Sequence, residues 1–134
     1  MGKGNLPDYL EVYKTTSKDF SSNILTRIDR VAMWLELRSM DSNMNNIIYD
    51  SLKTLHHMIK GLEWNPRIEK EWIASKRKLR SRYPQTASGR VIDSKKREVQ
   101  ERIFHLDLQY LIKMAVDIGA IERHSTSEDN ETNT

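Results

Sequence analysis

The sequence contains no cysteine, which excludes disulfide bonds, zinc–thiolate sites and thiol catalysis. It has only five glycines and three prolines, and its apolar positions lack the alternation that is typical of half-buried strands. No apolar run approaches the roughly 20 residues that a membrane-spanning helix needs. The first residues, MGKGNLPDY, contain no hydrophobic signal core. We therefore expect a soluble intracellular protein, located in the cytoplasm.

The sequence patterns of catalytic sites are also missing. The chain has no glycine-rich loop of the kind that cradles phosphates, and no serine in a nucleophile-elbow sequence. His56 and His57 diverge by about 100° on a helix, so they cannot hold one metal ion together. Glu101 and His105 supply only one half of a carboxylate–histidine centre. We therefore expect no enzymatic activity, no cofactor and no metal.

What the sequence does contain is a series of helical patterns. Pro7 suits the first turn of a short helix over about 7–14, and the spacing of apolar residues favours longer helices over about 18–40, 42–62, 66–83 and 92–122. Asn65 is placed to cap the fourth of these helices, and Pro66 suits its first turn. Gly89 is expected to form a tight turn in the polar loop between the last two helices.

These patterns predict an all-α fold. We expect an up-and-down bundle of four main helices, with a short N-terminal helix and a protruding, basic helical hairpin tip. Residues 1–6 are expected to be a flexible N-terminus, and residues 7–123 a single helical domain. Residues 124–134 are polar and acidic, a composition that predicts a disordered tail.

Positive charge is concentrated in residues 76–97, which we call the basic hairpin. This stretch contains nine Lys or Arg residues and one acid, a net charge of +8. The rest of the chain contains 13 basic and 18 acidic residues, a net charge of −5. Such a concentration of one sign marks a surface that attracts polyanions.

We predict that the basic hairpin binds the phosphate backbone of a nucleic acid with little sequence preference. Lys and Arg at a protruding end can neutralise phosphates and release counterions, while Arg and Tyr can stack on exposed bases. The predicted contact residues are Lys76, Arg77, Lys78, Arg80, Arg82, Tyr83, Arg90, Lys95, Lys96 and Arg97. The sequence leaves open whether the ligand is DNA or RNA, and whether it is single- or double-stranded.

Other interpretations of the basic hairpin stay open. It also suits docking on an acidic protein surface, in which case the chain is a helical interaction or scaffold protein. A charged face that is only solvated is a further alternative. The clusters 76–78 and 95–97 resemble the halves of a bipartite nuclear import signal, which would make the protein nuclear in a eukaryotic or viral setting.

Two helical segments carry more apolar surface than one small bundle is expected to bury. Each has a second apolar side, and we predict that these sides form the interface of a homo-oligomer. The predicted interface residues are Met33, Leu37, Met40, Phe104, Leu108 and Leu111. A monomeric alternative exists for the last helix, because a central position would bury both of its apolar sides.

Overall fold

The computed structural model describes residues 13–15, 19–38 and 42–123. Four helices make up most of these residues, which confirms the predicted all-α class. They are α1 (Asp19–Arg38), α2 (Asn45–Lys60), α3 (Pro66–Ser81) and α4 (Asp93–Asp117). A 3-10 turn, Ser42–Met44, precedes α2. Within the described ranges, every helix is too short or too polar to cross a bilayer.

Two short strands accompany the helices. Strand β1 (Tyr13–Thr15) pairs with strand β2 (Ile121–Arg123) in antiparallel register, with Lys14 opposite Glu122. The predicted N-terminal helix over 7–14 is therefore wrong at its last two residues, because their backbone groups pair with β2 rather than with a helical turn. The rest of that helix lies outside the described residues, as do the flexible N-terminus predicted for 1–6 and the tail predicted for 124–134.

Local sequence signals account for the start of α3 and for the end of α4. Asn65 caps α3, since its Oδ1 accepts a hydrogen bond of 2.9 Å from the Arg67 backbone N–H, as predicted. The end predicted for the last helix, near Glu122, is wrong. Gly119 has a φ of 77°, a left-handed value that takes the chain out of α4 and towards β2.

Helix α4 is central, because it packs against each of the other three helices. It buries residues from both of its apolar sides in one core. We predicted that Phe104, Leu108 and Leu111 form an exposed interface, and this prediction is wrong in that they are only 3%, 0% and 1% exposed. The other helices of the same chain cover these three side chains, and the central position that we considered as an alternative for the last helix is the observed one. The up-and-down order of the helices stays a prediction.

Arg38 is a charged residue inside the core, with 1% of its surface exposed. Its Nε donates a hydrogen bond to Oδ1 of Asn45, and its Nη1 lies 3.4 Å from Oε1 of Glu101. Its guanidinium carbon is 5.6 Å from the centre of the Phe104 ring. Burial lowers the pKa of Arg38, and the charge of Glu101 opposes this shift. One side chain thus joins the end of α1 to the start of α2 and to the middle of α4.

Candidate nucleic-acid interface

The loop of the basic hairpin is held by its own hydrogen bonds. Gln85 and Val91 form an antiparallel bridge across it. Inside that bridge, the backbone N–H of Thr86 donates to the carbonyl of Arg90 over 2.7 Å. Gly89 makes the turn at a φ of 86°, which confirms the tight turn predicted there. Arg90 is therefore presented by an ordered loop that joins α3 to α4.

Six of the predicted contact residues are exposed cations that form no ion pair with any described residue. Four of them lie on the last turns of α3 and the residue after it, one in the loop and one on α4. They are Arg77, Lys78, Arg80, Arg82, Arg90 and Arg97. Because no described acid lies within ion-pairing distance of them, these six are the cations of the hairpin that are most available to an anionic ligand.

The first predicted contact, Lys76, is turned inward. Its Nζ lies 3.4 Å from Oδ1 of Asp107 and 5.6 Å from the centre of the Trp72 ring. The side chain is half-buried, and its charge is already compensated by Asp107. Lys76 therefore contributes less to an outer phosphate surface than its neighbour Arg77.

The α4 arm of the hairpin is more neutral than the α3 arm. Lys96 lies 3.0 Å from Asp93, and Lys95 lies 3.8 Å from Glu98. The hydroxyl of Tyr83 donates a hydrogen bond of 3.0 Å to Glu98. Glu98 follows directly after the basic stretch, so counting charge only to residue 97 overstates the positive charge of this arm.

An open groove of about 430 Å³, which we call the basic groove, runs beside the end of α3. Cations, neutral hydrogen-bonding groups and one aliphatic side chain line it, and none of the described residues along it is acidic. The lining residues are Ile73, Lys76, Arg77, Arg80, Ser81, Gln85 and Gly89. Guanidinium groups donate paired hydrogen bonds to phosphate oxygens, so this groove has the chemistry of a phosphate site.

A second groove, of about 250 Å³, lies between α2 and α3 with α4 beneath it. We call it the aromatic groove. The His56 ring lies in its wall, 5.0 Å from the Trp64 ring at an angle of 19°, and 5.3 Å from Trp72. The indole N–H of Trp72 donates a hydrogen bond of 2.9 Å to Oδ1 of Asp107.

This groove was not predicted from the sequence, although the sequence contains one signal for it. Asp107 is a carboxylate in the strongly apolar half of α4, where an acid requires partners. Burial raises the pKa of Asp107, and Lys76 opposes that shift. The spacing of Trp72 and Lys76, one helical turn apart on α3, fits two partners for one carboxylate.

Exposed apolar residues lie on α1. Met33 is 49% exposed and Leu37 is 44% exposed, as expected for a second apolar side of that helix. Met40, the third predicted interface residue of this segment, lies outside the described residues. The predicted interface thus retains two exposed positions, one helical turn apart, while its α4 part is buried.

His56 makes stability depend on pH. Burial lowers its pKa, and the charges of Lys60 and His57 lower it further, against the opposing charges of Glu69 and Asp107. Its Nε2 is buried and has no hydrogen-bond partner among the described residues. Because the pKa of His56 is lower in the folded than in the unfolded chain, the folded state is favoured while the side chain is neutral. This contribution to stability is present above the unfolded pKa of about 6.5 and is lost as the pH falls below it.

We expect His56→Phe to reduce the acid sensitivity of the fold. Phenylalanine keeps a ring beside Trp64 and Trp72 but takes up no proton, and it removes the unpartnered Nε2. The melting temperature should therefore fall less between pH 7 and pH 5 in the variant than in the wild type. Burial also lowers the pKa of His105, so some acid sensitivity should remain. Identical pH profiles for the two proteins would contradict this account.

Comparisons of the chain with protein-family models, curated proteins and solved structures give no match.

Proposed function

We propose that this chain is a non-enzymatic nucleic-acid-binding protein that holds the phosphate backbone through the basic hairpin. The observation that carries the proposal is the set of six exposed cations without an ion-pair partner in the described chain. Basic residues also stabilise the end of a helix, which accounts for Lys78 and Arg80 in the last turn of α3. That role does not account for Arg82, Arg90 and Arg97.

The mode of binding follows from the residue types. Five of the six cations are arginines, whose planar groups donate paired hydrogen bonds to phosphate oxygens. Phosphates carry no base information, so we expect little sequence preference. The α3 arm supplies most of the contacts, Arg90 extends them along the loop, and Arg97 adds one from α4. Lys76, Lys95 and Lys96 have acidic partners and contribute less.

Fluorescence anisotropy with labelled single- and double-stranded oligonucleotides tests this proposal. At about 50 mM salt we expect binding at least as tight as the micromolar range usual for non-specific complexes. The absence of binding to either oligonucleotide would reject the proposed function. Equal displacement of the oligonucleotide by polyglutamate of matched charge would instead favour the alternative, an interaction protein that docks an acidic protein surface.

Self-association through α1 is the second part of the proposal. Met33 and Leu37 are exposed apolar neighbours, and such a patch is often covered by another chain. A homo-oligomer would also bring several basic hairpins onto one strand, so that weak phosphate contacts reinforce one another.

We expect Leu37→Glu to convert the oligomer to monomers without loss of helicity, because it places a charge in the proposed contact. Light scattering should give a multiple of 15.8 kDa for the wild type and 15.8 kDa for the variant. Leu62→Glu is a matched control, since Leu62 is similarly exposed at 39% but lies beyond the end of α2. A wild-type mass of 15.8 kDa at high protein concentration would rule out self-association.

A further inference from the structure

The basic groove and the aromatic groove adjoin each other on α3. Ile73 and Lys76 line both of them. A ligand that extends from one groove to the other therefore meets exposed guanidinium groups at one end. At the other end it meets aromatic and aliphatic side chains together with the carboxylates of Glu69 and Asp107. A nucleotide has this combination, because an anionic phosphate and a flat, largely apolar base are joined in one unit.

The aromatic groove offers what an unstacked base requires. Tyr49 and Ile73 line it and are 55% and 50% exposed, so a planar ring can stack against them. Lys53 also lines the groove, and its Nζ lies 5.3 Å from the centre of the Tyr49 ring. Sites for single-stranded nucleic acids combine such aromatic faces with a few polar groups at the base edges.

Asp107 is the polar group placed to meet a base edge. The contacts described for its carboxylate, with Trp72 and Lys76, are both made by Oδ1. This leaves Oδ2 to accept a hydrogen bond from the exocyclic amino group of a base. Asp107 is half-buried at the α4 side of the groove, where that bond would be shielded from water.

We propose that the aromatic groove takes one unstacked base of a single strand whose adjoining phosphates lie on Arg77 and Arg80. This inference rests on the proposed function and specifies its substrate class as single-stranded nucleic acid. In a duplex the bases are paired and stacked inside the helix, so a duplex reaches only the basic groove. Single strands of equal length therefore gain a contact that duplexes lack.

An oligonucleotide and an abasic strand of the same length separate base contacts from phosphate contacts. Both carry the same phosphate charge, and only the first carries bases. We expect the wild-type protein to bind the base-bearing strand about tenfold more tightly, because the stacking of one base on an aromatic side chain adds about that much affinity. Tyr49→Ala should abolish this preference while leaving the affinity for the abasic strand and for a duplex unchanged.

Ile47→Ala is the matched control, because Ile47 is similarly exposed at 47% on α2 but does not line the aromatic groove. It should keep the full preference for base-bearing strands. Equal wild-type affinity for base-bearing and abasic strands would overturn the inference while leaving phosphate binding intact. Retention of the preference by Tyr49→Ala would also overturn it. Failure of the wild type to bind any strand would instead reject the proposed function.

Discussion

Replacing Arg77, Lys78, Arg80 and Arg82 with glutamate should weaken oligonucleotide binding at about 50 mM salt by at least about 100-fold. Each replacement removes a phosphate contact and adds a charge that repels the backbone, and each contact contributes about one unit to the salt dependence of binding. Fluorescence anisotropy measures the affinity. Circular dichroism should show an unchanged helix content, because all four side chains are exposed.

The control must carry the same total charge, because the reversal also changes the net charge of the chain from +3 to −5. A variant with four other exposed cations replaced by glutamate meets this requirement. These positions are Arg30, Lys60, Arg67 and Lys70, none of which lies in the basic hairpin. We expect this control to bind several-fold more weakly than the wild type and far more tightly than the hairpin variant. Equal losses in the two variants would mean that overall charge, rather than the hairpin, causes the binding.

Arg38→Met should lower the free energy of unfolding by about 2–4 kcal/mol, the largest stability effect that we expect. Methionine fills much of the same space, but it leaves the Asn45 side chain and Glu101 without their cation. Removing one partner of a buried charged pair costs about 3–5 kcal/mol, and the 40% exposure of Glu101 reduces that cost because water can solvate it. Urea unfolding measures the difference.

Arg30→Met provides the comparison for Arg38→Met, because Arg30 is an exposed arginine of the same helix. Exposed substitutions usually change stability by less than about 0.5 kcal/mol. Binding to oligonucleotides should be the same in both variants once each is folded. If Arg38→Met costs no more than Arg30→Met, Arg38 does not have the joining role that we assign to it.

Features that depend on neighbouring residues in the chain were predictable from the sequence. The start of α3 follows from Asn65 and Pro66, and the turn between α3 and α4 follows from Gly89, since each signal acts within a few residues. The helical class likewise follows from the spacing of apolar residues. Four predicted contacts of the α3 arm, Arg77, Lys78, Arg80 and Arg82, are exposed for the same reason, because apolar residues are sparse there and few positions need to be buried.

Features that depend on distant partners were not predictable in this way. The last helical pattern continues beyond Asp117, but pairing with β1, more than 100 positions earlier in the chain, decides that residues 121–123 form a strand. The second apolar side of α4 led to the prediction of an oligomer interface. It is instead covered by other helices of the same chain, and that central position cannot be seen from the local sequence. Arg38 and Lys76 were likewise not distinguished from the other cations, since the carboxylates that pair with them, Glu101 and Asp107, lie more than 30 positions away in the chain.

The salt dependence of duplex binding tests the central claim most directly. Affinity is measured by anisotropy across a series of salt concentrations, and the logarithm of the association constant is plotted against the logarithm of salt concentration. Six neutralised phosphates predict a slope of about −5, from about −0.9 for each contact on duplex DNA. A slope near zero, or binding that persists unchanged in high salt, would contradict the claim that the basic hairpin binds phosphates through its charges.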